Sequence, residues 1–465
     1  MYAKEKAEIL VASVTADAHI TKAGHRPYVP QALRAQNLAA LEMVDWVLID
    51  LYATPIETIR VLQPKYFAKG YEYFADGPSV QTQAEIAAVE DYGGEVVFTP
   101  GDIVYSSSAL LAHHVPQLAV DKLLSLMESE GVDFADLRKA LGSLAGVRVH
   151  VVGDTIVDAY SDCTLLGAAP KSPTFSVKYE RTERFTGGAG VVARHVRAAG
   201  ADVTFSTILG DDPPKDFALK ELAAADVTCY AVIDRMRPTT CKERFTAHGY
   251  KLLQVDRVDN RPISEHTLQL LCESLRRSPA DLVIMSDFRH GLFTRDSIAT
   301  LVAEIPSATL KVADSQVATR WGNILDFPDF DLITPNEREA RFALADQDTI
   351  IRPLALKLFR EARCRALILK LGPLGTITYR RPGDELRDFF TLDSFVDWLV
   401  DPIGAGDALL AYAALALAAT GNLVVASILG SISAAVACER QGNVPVSPAE
   451  VEDKIGALER LARYA

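Results

Sequence analysis

From residue 147 onward, short apolar, β-branched runs alternate with stretches of helical periodicity, and this alternation leaves the chain very few folds. The runs are "VRVHVVGD" (147–154), "DVTFSTILG" (202–210), "DLVIMSD" (281–287), "TLKVADS" (309–315), "DLITPN" (331–336), "ALILKLG" (366–372) and "TITYR" (376–380). Helical patterns such as "GVVARHVRAAG" and "LALKLFREARC" lie between most of them. A strand covered on both faces reads as a continuous apolar run, whereas a half-solvated strand alternates. The spacing therefore predicts an α/β fold with a parallel sheet between two helical layers.

Two inserts break that rhythm. Residues 163–185 and 229–257 are richer in polar alternation, as in "TFSVKYERTERF" and "TTCKERFTAHGYKLLQVDR". Such alternation marks solvated antiparallel strands, so a small sheet is expected over one edge of the main one, as a lid or a dimer surface. Residues 1–111 carry a second, shorter alternation. "EILVASVTAD", "DWVLID", "YFAKG" and "GEVVFTP" read as strands, with "PQALRAQNLAALEMV", "PIETIRVLQP" and "SVQTQAEIAAVEDYG" as helices between them. Residues 112–146 have apolar positions at helical spacing and read as a helical linker. The chain thus reads as two α/β units joined by helices.

At 465 residues, the length alone exceeds one ordinary domain. A net charge of −13 excludes a nucleic-acid backbone as partner, since that needs a basic face. Small anionic substrates stay open, because they need only a few local cations. Six scattered cysteines without a C-x-x-C pair point to buried thiols in a reducing cytoplasm rather than to disulfides or zinc. The opening "MYAKEKAEILVASVTAD" lacks the layout of a signal peptide. Residues 408–438 contain no charge, yet "TGN" at 420–422 divides them into pieces too short for about 30 Å of hydrocarbon. Two buried helices are expected there, not a membrane span, and the protein reads as cytoplasmic.

The stretch "DPIGAGDALL" (401–410) carries the chemistry. Gly404 and Gly406 let successive backbone N–H groups converge, and a helix starting there adds its positive dipole end. An anion or a phosphoryl group in transfer would be stabilised at that point. Asp407 falls in the first helical turn, where it could take a proton from an attacking hydroxyl. Alone, the same residues also describe an ordinary helix start, where an acid is favoured anyway.

The surroundings resolve this. "VVGDTIVDAY", "RFTGGAGVVARHVRAAGA", "LGDD" (209–212), "SDFRHG" (286–291), "ADSQ" (313–316), "TPNEREA" (334–340), "LKLGPLGT" (369–376) and "DPIGAGDALL" occur in one order. With them, residues 147–465 resemble the ribokinase-like (PfkB-type) carbohydrate kinases, closest to the heptose-7-phosphate kinase of bifunctional ADP-heptose synthases. The resemblance implies a ribokinase-like parallel-sheet domain with a small β lid, ATP and Mg²⁺, a sugar or sugar-phosphate substrate, and a monovalent cation as a further candidate. Asp407 would be the general base, and Gly404, Ala405 and Gly406 the anion hole. Asp158, at the end of the opening strand, would bind the sugar, with Gly187 and Gly188 closing on it. Lys171, Lys178, Lys242 and Arg244 on the inserts are candidate cations for a substrate phosphate, with solvated surface as the competing reading of each. Asn336 and Glu339 would order Mg²⁺ through water, and Asn336, Lys370, Gly372 and Gly375 would line the nucleotide. Asp158 as a turn cap, Glu339 as a first-turn helix acid and Lys370 as a solvated charge are the competing readings, and Asp287 and Asp314 read equally as site neighbours or turn formers. Two positions depart from the pattern: Pro402 where the family has Thr, and Val191 where the heptose branch has Asn.

Residues 1–111 resemble part of a cytidylyltransferase-like, Rossmann-like nucleotidyltransferase domain through "RPYVPQALRAQNLAALEMVDWVL", "LQPKYFAKGYEY" and "GGEVVFTPGDIVYSSSALL". The H-x-G-H that such domains use for phosphate is absent, and His25 in "AGHRPY" has the wrong context. No nucleotidyl transfer is expected from the chain as given. The order of the units is also the reverse of that in the heptose enzymes. Two other readings stay open: a non-catalytic sugar-phosphate or nucleotide sensor or scaffold, and a nucleotidyltransferase if the N-terminus is mis-assigned. A homodimer through the lid or the N-terminal domain is the expected assembly.

Overall fold

The computed structural model describes residues 4, 6–20, 30–41, 43–70, 80–99, 118–168, 174–317, 322–380 and 389–462. His25, Lys171 and the serines at 106–108 lie outside them. The chain forms two compact units, residues 1–116 and 117–465.

In the first unit, β1 (Val11–Thr15), α1 (Gln31–Ala39), β2 (Trp46–Asp50), α2 (Ile56–Leu62), β3 (Tyr66–Gly70), α3 (Val80–Glu90) and β4 (Glu95–Thr99) follow one another. β1 pairs parallel with β2, and β3 with β4. Parallel neighbours require a crossover, which α1 and α3 supply. A small apolar cluster of Ile59, Ala88 and Val89 ties α2 to α3.

The second unit opens with α4 (Leu118–Glu130) and α5 (Phe134–Gly142), then β5 (Arg148–Gly153), β6 (Thr155–Ala168), β7 (Phe175–Gly188), α6 (Ala189–Ala198), β8 (Asp202–Leu209) and α7 (Pro213–Ala224). Next come β9 (Thr228–Ile233), β10 (Thr240–Ala247), β11 (Tyr250–Arg257), α8 (Glu265–Arg277), β12 (Leu282–Asp287), α9 (Arg295–Ala303), β13 (Leu310–Ser315) and β14 (Leu332–Ile333). The chain ends with α10 (Glu337–Leu344), α11 (Ile351–Ala362), β15 (Ala366–Lys370), β16 (Thr376–Arg380), β17 (Phe389–Leu392), α12 (Ala405–Thr420), α13 (Leu423–Cys438) and α14 (Pro448–Ala462).

Nine strands form the main sheet in the order β17-β16-β15-β14-β13-β12-β5-β8-β9. All its pairings are parallel except those of β16 with β15 and β17. Alternation along β12 shows why its run is wholly apolar. Leu282 and Ile284 enter one core with α4–α6 and α12–α14, while Val283 and Met285 enter a second core with α8, α9 and α11. The uncharged segment divides as its sequence suggests. Gly421 caps α12 in the left-handed region, and the Asn422 side chain accepts from the N–H groups of Val424 and Val425 to start α13. Both helices are buried in the first core. Among the described residues, no helix is long and apolar enough to cross a membrane.

Two expectations shift. The helices expected as a linker belong to the second unit: Leu123, Leu137 and Leu144 are fully or almost fully buried in its core, and Arg138 of α5 pairs with Glu452 and Glu459 of α14. Their helical spacing was legible, but not what their apolar face covers. The inserts also divide differently. β6, β7, β10 and β11 form a four-stranded second sheet, β11-β10-β6-β7, whereas β9, from the second insert, joins the main sheet beside β8. β10 runs parallel to β6, so this lid is not wholly antiparallel.

Candidate active site

In an open parallel sheet, ligands bind beyond the carboxyl ends of the strands, where helix N-termini and strand-end side chains converge. Here those ends and the lid enclose a cleft of about 800 Å³.

The floor is the start of α12. Gly404, at φ +83°, makes the left-handed turn that redirects the chain into the helix. A Cβ at this position would collide with Oδ1 of Asn443, so two constraints select glycine. The first-turn N–H groups of a helix have no intrahelical acceptor, which leaves donors at the mouth of α12 facing the cleft. Asp407 sits in that first turn and is partly buried. Burial, reinforced by the neighbouring Asp314 carboxylate, pushes its pKa up to about 8, while the Lys370 ammonium pulls the other way.

Lys370 ends β15 and is not a solvated charge. Its Nζ donates to Asp314 Oδ1 at 3.0 Å, and Thr334 Oγ1 donates to the same oxygen at 2.9 Å. Burial opposes the ammonium, but Asp314 and Glu339 outweigh it and hold its pKa above the ordinary value. Asn336 caps α10 in a reciprocal box with Glu339. Glu339 Oε2 accepts from the Asn336 N–H at 2.7 Å, and Asn336 Oδ1 accepts from the Glu339 N–H at 2.9 Å. Asn336 Nδ2 also donates to Glu339 Oε1 at 2.6 Å. The helix-acid reading of Glu339 is therefore realised, and the same side chain still lines the cleft. Burial raises its pKa, with Asp314 adding to the effect and Lys370 opposing it. Among the described residues, no group of three or more His, Cys, Asp or Glu side chains forms a metal cage.

The lid supplies the opposite wall. Asp158 lies on lid strand β6 rather than at the end of β5, which stops at Gly153. Arg244 Nη1 on β10 donates to Asp158 Oδ1 at 2.7 Å, and Asn443 Nδ2 donates to Asp158 Oδ2 at 3.1 Å. The Arg244 guanidinium also lies over the Tyr160 ring, 5.3 Å from its centroid. Gly187 packs directly behind this carboxylate, where a Cβ would strike Asp158 Oδ2.

Asp158, Gly188, Arg244, Asn336, Glu339, Lys370, Gly372, Gly375, the 404–406 turn and Asp407 all line the one cleft. Lys178 does not. It is exposed on edge strand β7 and pairs with Glu180. Asp287 also stays out, being fully buried against Arg289 and Ser315. Sequence reasoning did not single out Asn443 or the apolar slot of Val396, Leu399, Leu409, Ala434 and Cys438. It left Lys242 as one of several lid cations, whereas the structure puts it in the cleft wall, in register with Asp158 across β10 and β6. Their signal lies in sheet register and helix packing, not in any local motif.

The pfkB family carbohydrate kinase profile matches residues 148–450. The bifunctional protein HldE of Rhodopseudomonas palustris (strain HaA2) is 30% identical over 325 residues, 68% of this chain and 64% of that protein. HldE of Bradyrhizobium sp. (strain ORS 278) is 30% identical over 331 residues, 70% of this chain and 66% of that one. The chain thus spans about two thirds of the length of these curated relatives. Among solved structures, phosphofructokinase-2 from Escherichia coli in complex with fructose-6-phosphate superposes with a TM-score of 0.55 at 17% identity, covering 68% of this chain and all of that one. Arabidopsis thaliana ribokinase complexed with ribose and ATP gives 0.53 at 15% identity, covering 67% and 99%. These likenesses carry the fold, which is the ribokinase-like α/β fold. With the family profile spanning nearly all of the second unit, the chain belongs to the pfkB family of carbohydrate kinases.

Proposed function

We propose that this kinase transfers the γ-phosphoryl group of ATP to a hydroxyl of a sugar phosphate of the heptose-7-phosphate kind, with Asp407 as general base. The observation that carries the reading is the placement of Asp407 at the donor-rich mouth of α12, across one cleft from the paired Asp158 and Arg244. Asp158 and Arg244 would orient the sugar. Asp407 would take the hydroxyl proton as that oxygen attacks the γ-phosphorus, and the bond to the bridging oxygen of ADP would break in line. The backbone N–H groups at 404–406 would hold the charge that develops on the transferring group, with Ala405 giving up its long 3.4 Å bond to the Pro402 carbonyl. The apolar slot between α12 and α13 suits an adenine ring, and Lys370 stands beside the turn to meet phosphate.

Mg²⁺ would neutralise phosphate charge when bound with the nucleotide. The already engaged oxygens of Glu339 fit water-mediated contact through Asn336 and Glu339 better than direct ligation. A phosphorylated substrate is supported by Lys242, which lines the cleft two positions from Arg244 on β10, and by the likeness of the motifs to heptose-7-phosphate kinases. ADP release should be screened over free and phosphorylated hexoses and heptoses. Turnover with a heptose phosphate is expected, and Asp407→Asn should lower kcat by about 10²–10⁴-fold while nucleotide affinity stays. Retained kcat in that variant would remove Asp407 as the base.

A further inference from the structure

Asn443 lies in the segment after α13, outside every motif of the sequence. It is 5% exposed, yet it lines the cleft. Its amide has only one arrangement compatible with its neighbours. Nδ2 donates to Asp158 Oδ2 at 3.1 Å, and turning the amide over would press its carbonyl oxygen against a carboxylate. Oδ1 is thereby directed to the other side, toward Gly404, and there it has no hydrogen-bond partner. A buried acceptor left unpaired is costly in a folded protein, so such an atom marks a place where a ligand donor is expected. A Cβ at Gly404 would collide with Oδ1, so this oxygen keeps its position only beside a glycine.

This orphan acceptor stands between two parts of the site: the carboxylate held by Arg244 and the turn that leads to Asp407. Resting on the kinase reading above, we propose that Asn443 is a substrate-binding and specificity-determining residue. Its Oδ1 accepts from a sugar hydroxyl neighbouring the one bound by Asp158, and its Nδ2 keeps the Asp158 carboxylate aimed. The site then selects acceptors that present two adjacent hydroxyl donors, one for each side chain. A site built to bind a hydroxyl discriminates strongly against the analogue lacking it, because its own buried group stays unpaired.

The test uses the full chain with the acceptor of highest kcat/KM from the sugar screen, together with its monodeoxy analogues. Besides the analogues lacking the phosphorylated hydroxyl or the one bound by Asp158, wild type should lose roughly tenfold or more in kcat/KM for the deoxy analogue lacking the hydroxyl next to the latter. Asn443→Leu, which keeps the size but neither polar atom, should raise the sugar KM by about the same factor and leave the ATP KM within about twofold. It should no longer distinguish that deoxy analogue from the parent sugar. Asn443→Ala provides the same comparison if the leucine variant does not fold. Undiminished discrimination in a folded variant would overturn the assignment. So would a change in monovalent-cation dependence with the sugar KM unchanged, which would give the acceptor to an ion. Absence of wild-type turnover with any sugar would instead remove the kinase reading on which the assignment rests.

Discussion

Asp407 concentrates a conflict between stability and chemistry. Its carboxyl ordinarily titrates near 3.8, and in the folded chain near 8. The native state therefore keeps a proton that the unfolded chain releases between those values. The stability tied to that proton is complete below about pH 4 and is lost as pH rises through 8. Asp407→Asn removes the dependence, so the variant should melt about 2–4 °C or more above wild type at pH 8.5, with a smaller gap at pH 5. Scanning calorimetry at the two pH values measures this, and an unchanged gap would refute it. Catalysis follows the opposite sign, because a general base must be ionised. The sugar kcat/KM of wild type should rise with pH and level off near pH 8, and pH-rate profiles would show this rise missing if the base is another group. That Asp407 is a candidate base was legible from "GAGD"; that its environment holds a proton was not, because Asp314 and Lys370 come from distant strands.

At the scale of elements, the lid decides which cations matter. Lys178 and Lys242 are indistinguishable by local sequence, each lying in an alternating polar run. The strand order β11-β10-β6-β7 puts Lys242 on an inner strand beside Asp158 and Lys178 on an edge strand. The lid also leaves Phe175 and Tyr250 74% and 76% exposed, with Tyr179 and Leu253 exposed as well. Exposed aromatic and aliphatic groups on both edge strands of one sheet fit burial against a second copy. We propose a homodimer through this sheet. Light scattering should give twice the chain mass for wild type and a monomer for the paired substitutions Tyr250→Glu and Leu253→Glu. A monomeric wild type would exclude the lid as the interface.

For the molecule as a whole, the boundary at residue 117 has a thermodynamic consequence. α4, α5 and the turn that follows them bury Val120, Leu123, Met127, Leu137 and Leu144 in the core of the kinase unit. Each buried side chain of this size contributes about 1.5–3 kcal/mol, so the group together rivals the roughly 5–15 kcal/mol net stability of a domain. A chain of residues 117–465 should fold and keep sugar-kinase activity, whereas residues 147–465 should be insoluble or molten. Expression yield and the near-ultraviolet dichroism of the two fragments check this. A soluble, cooperatively melting 147–465 fragment would contradict it.

The sequence by itself determined seven of the nine strands of the main sheet, the two uncharged helices and the glycine turn at 404–406, since each rests on local rules: apolar runs, helical period and glycine at a left-handed position. It could also order the motifs that place the chain in its family. Only the tertiary structure decided that Asp158 belongs to the lid, that the helices at 118–142 complete the kinase core, and that Asn443 meets Asp158 across 285 residues of chain. Those facts depend on strand register and on long-range packing, where side chains meet because the sheet brings them together and not because they are neighbours in sequence.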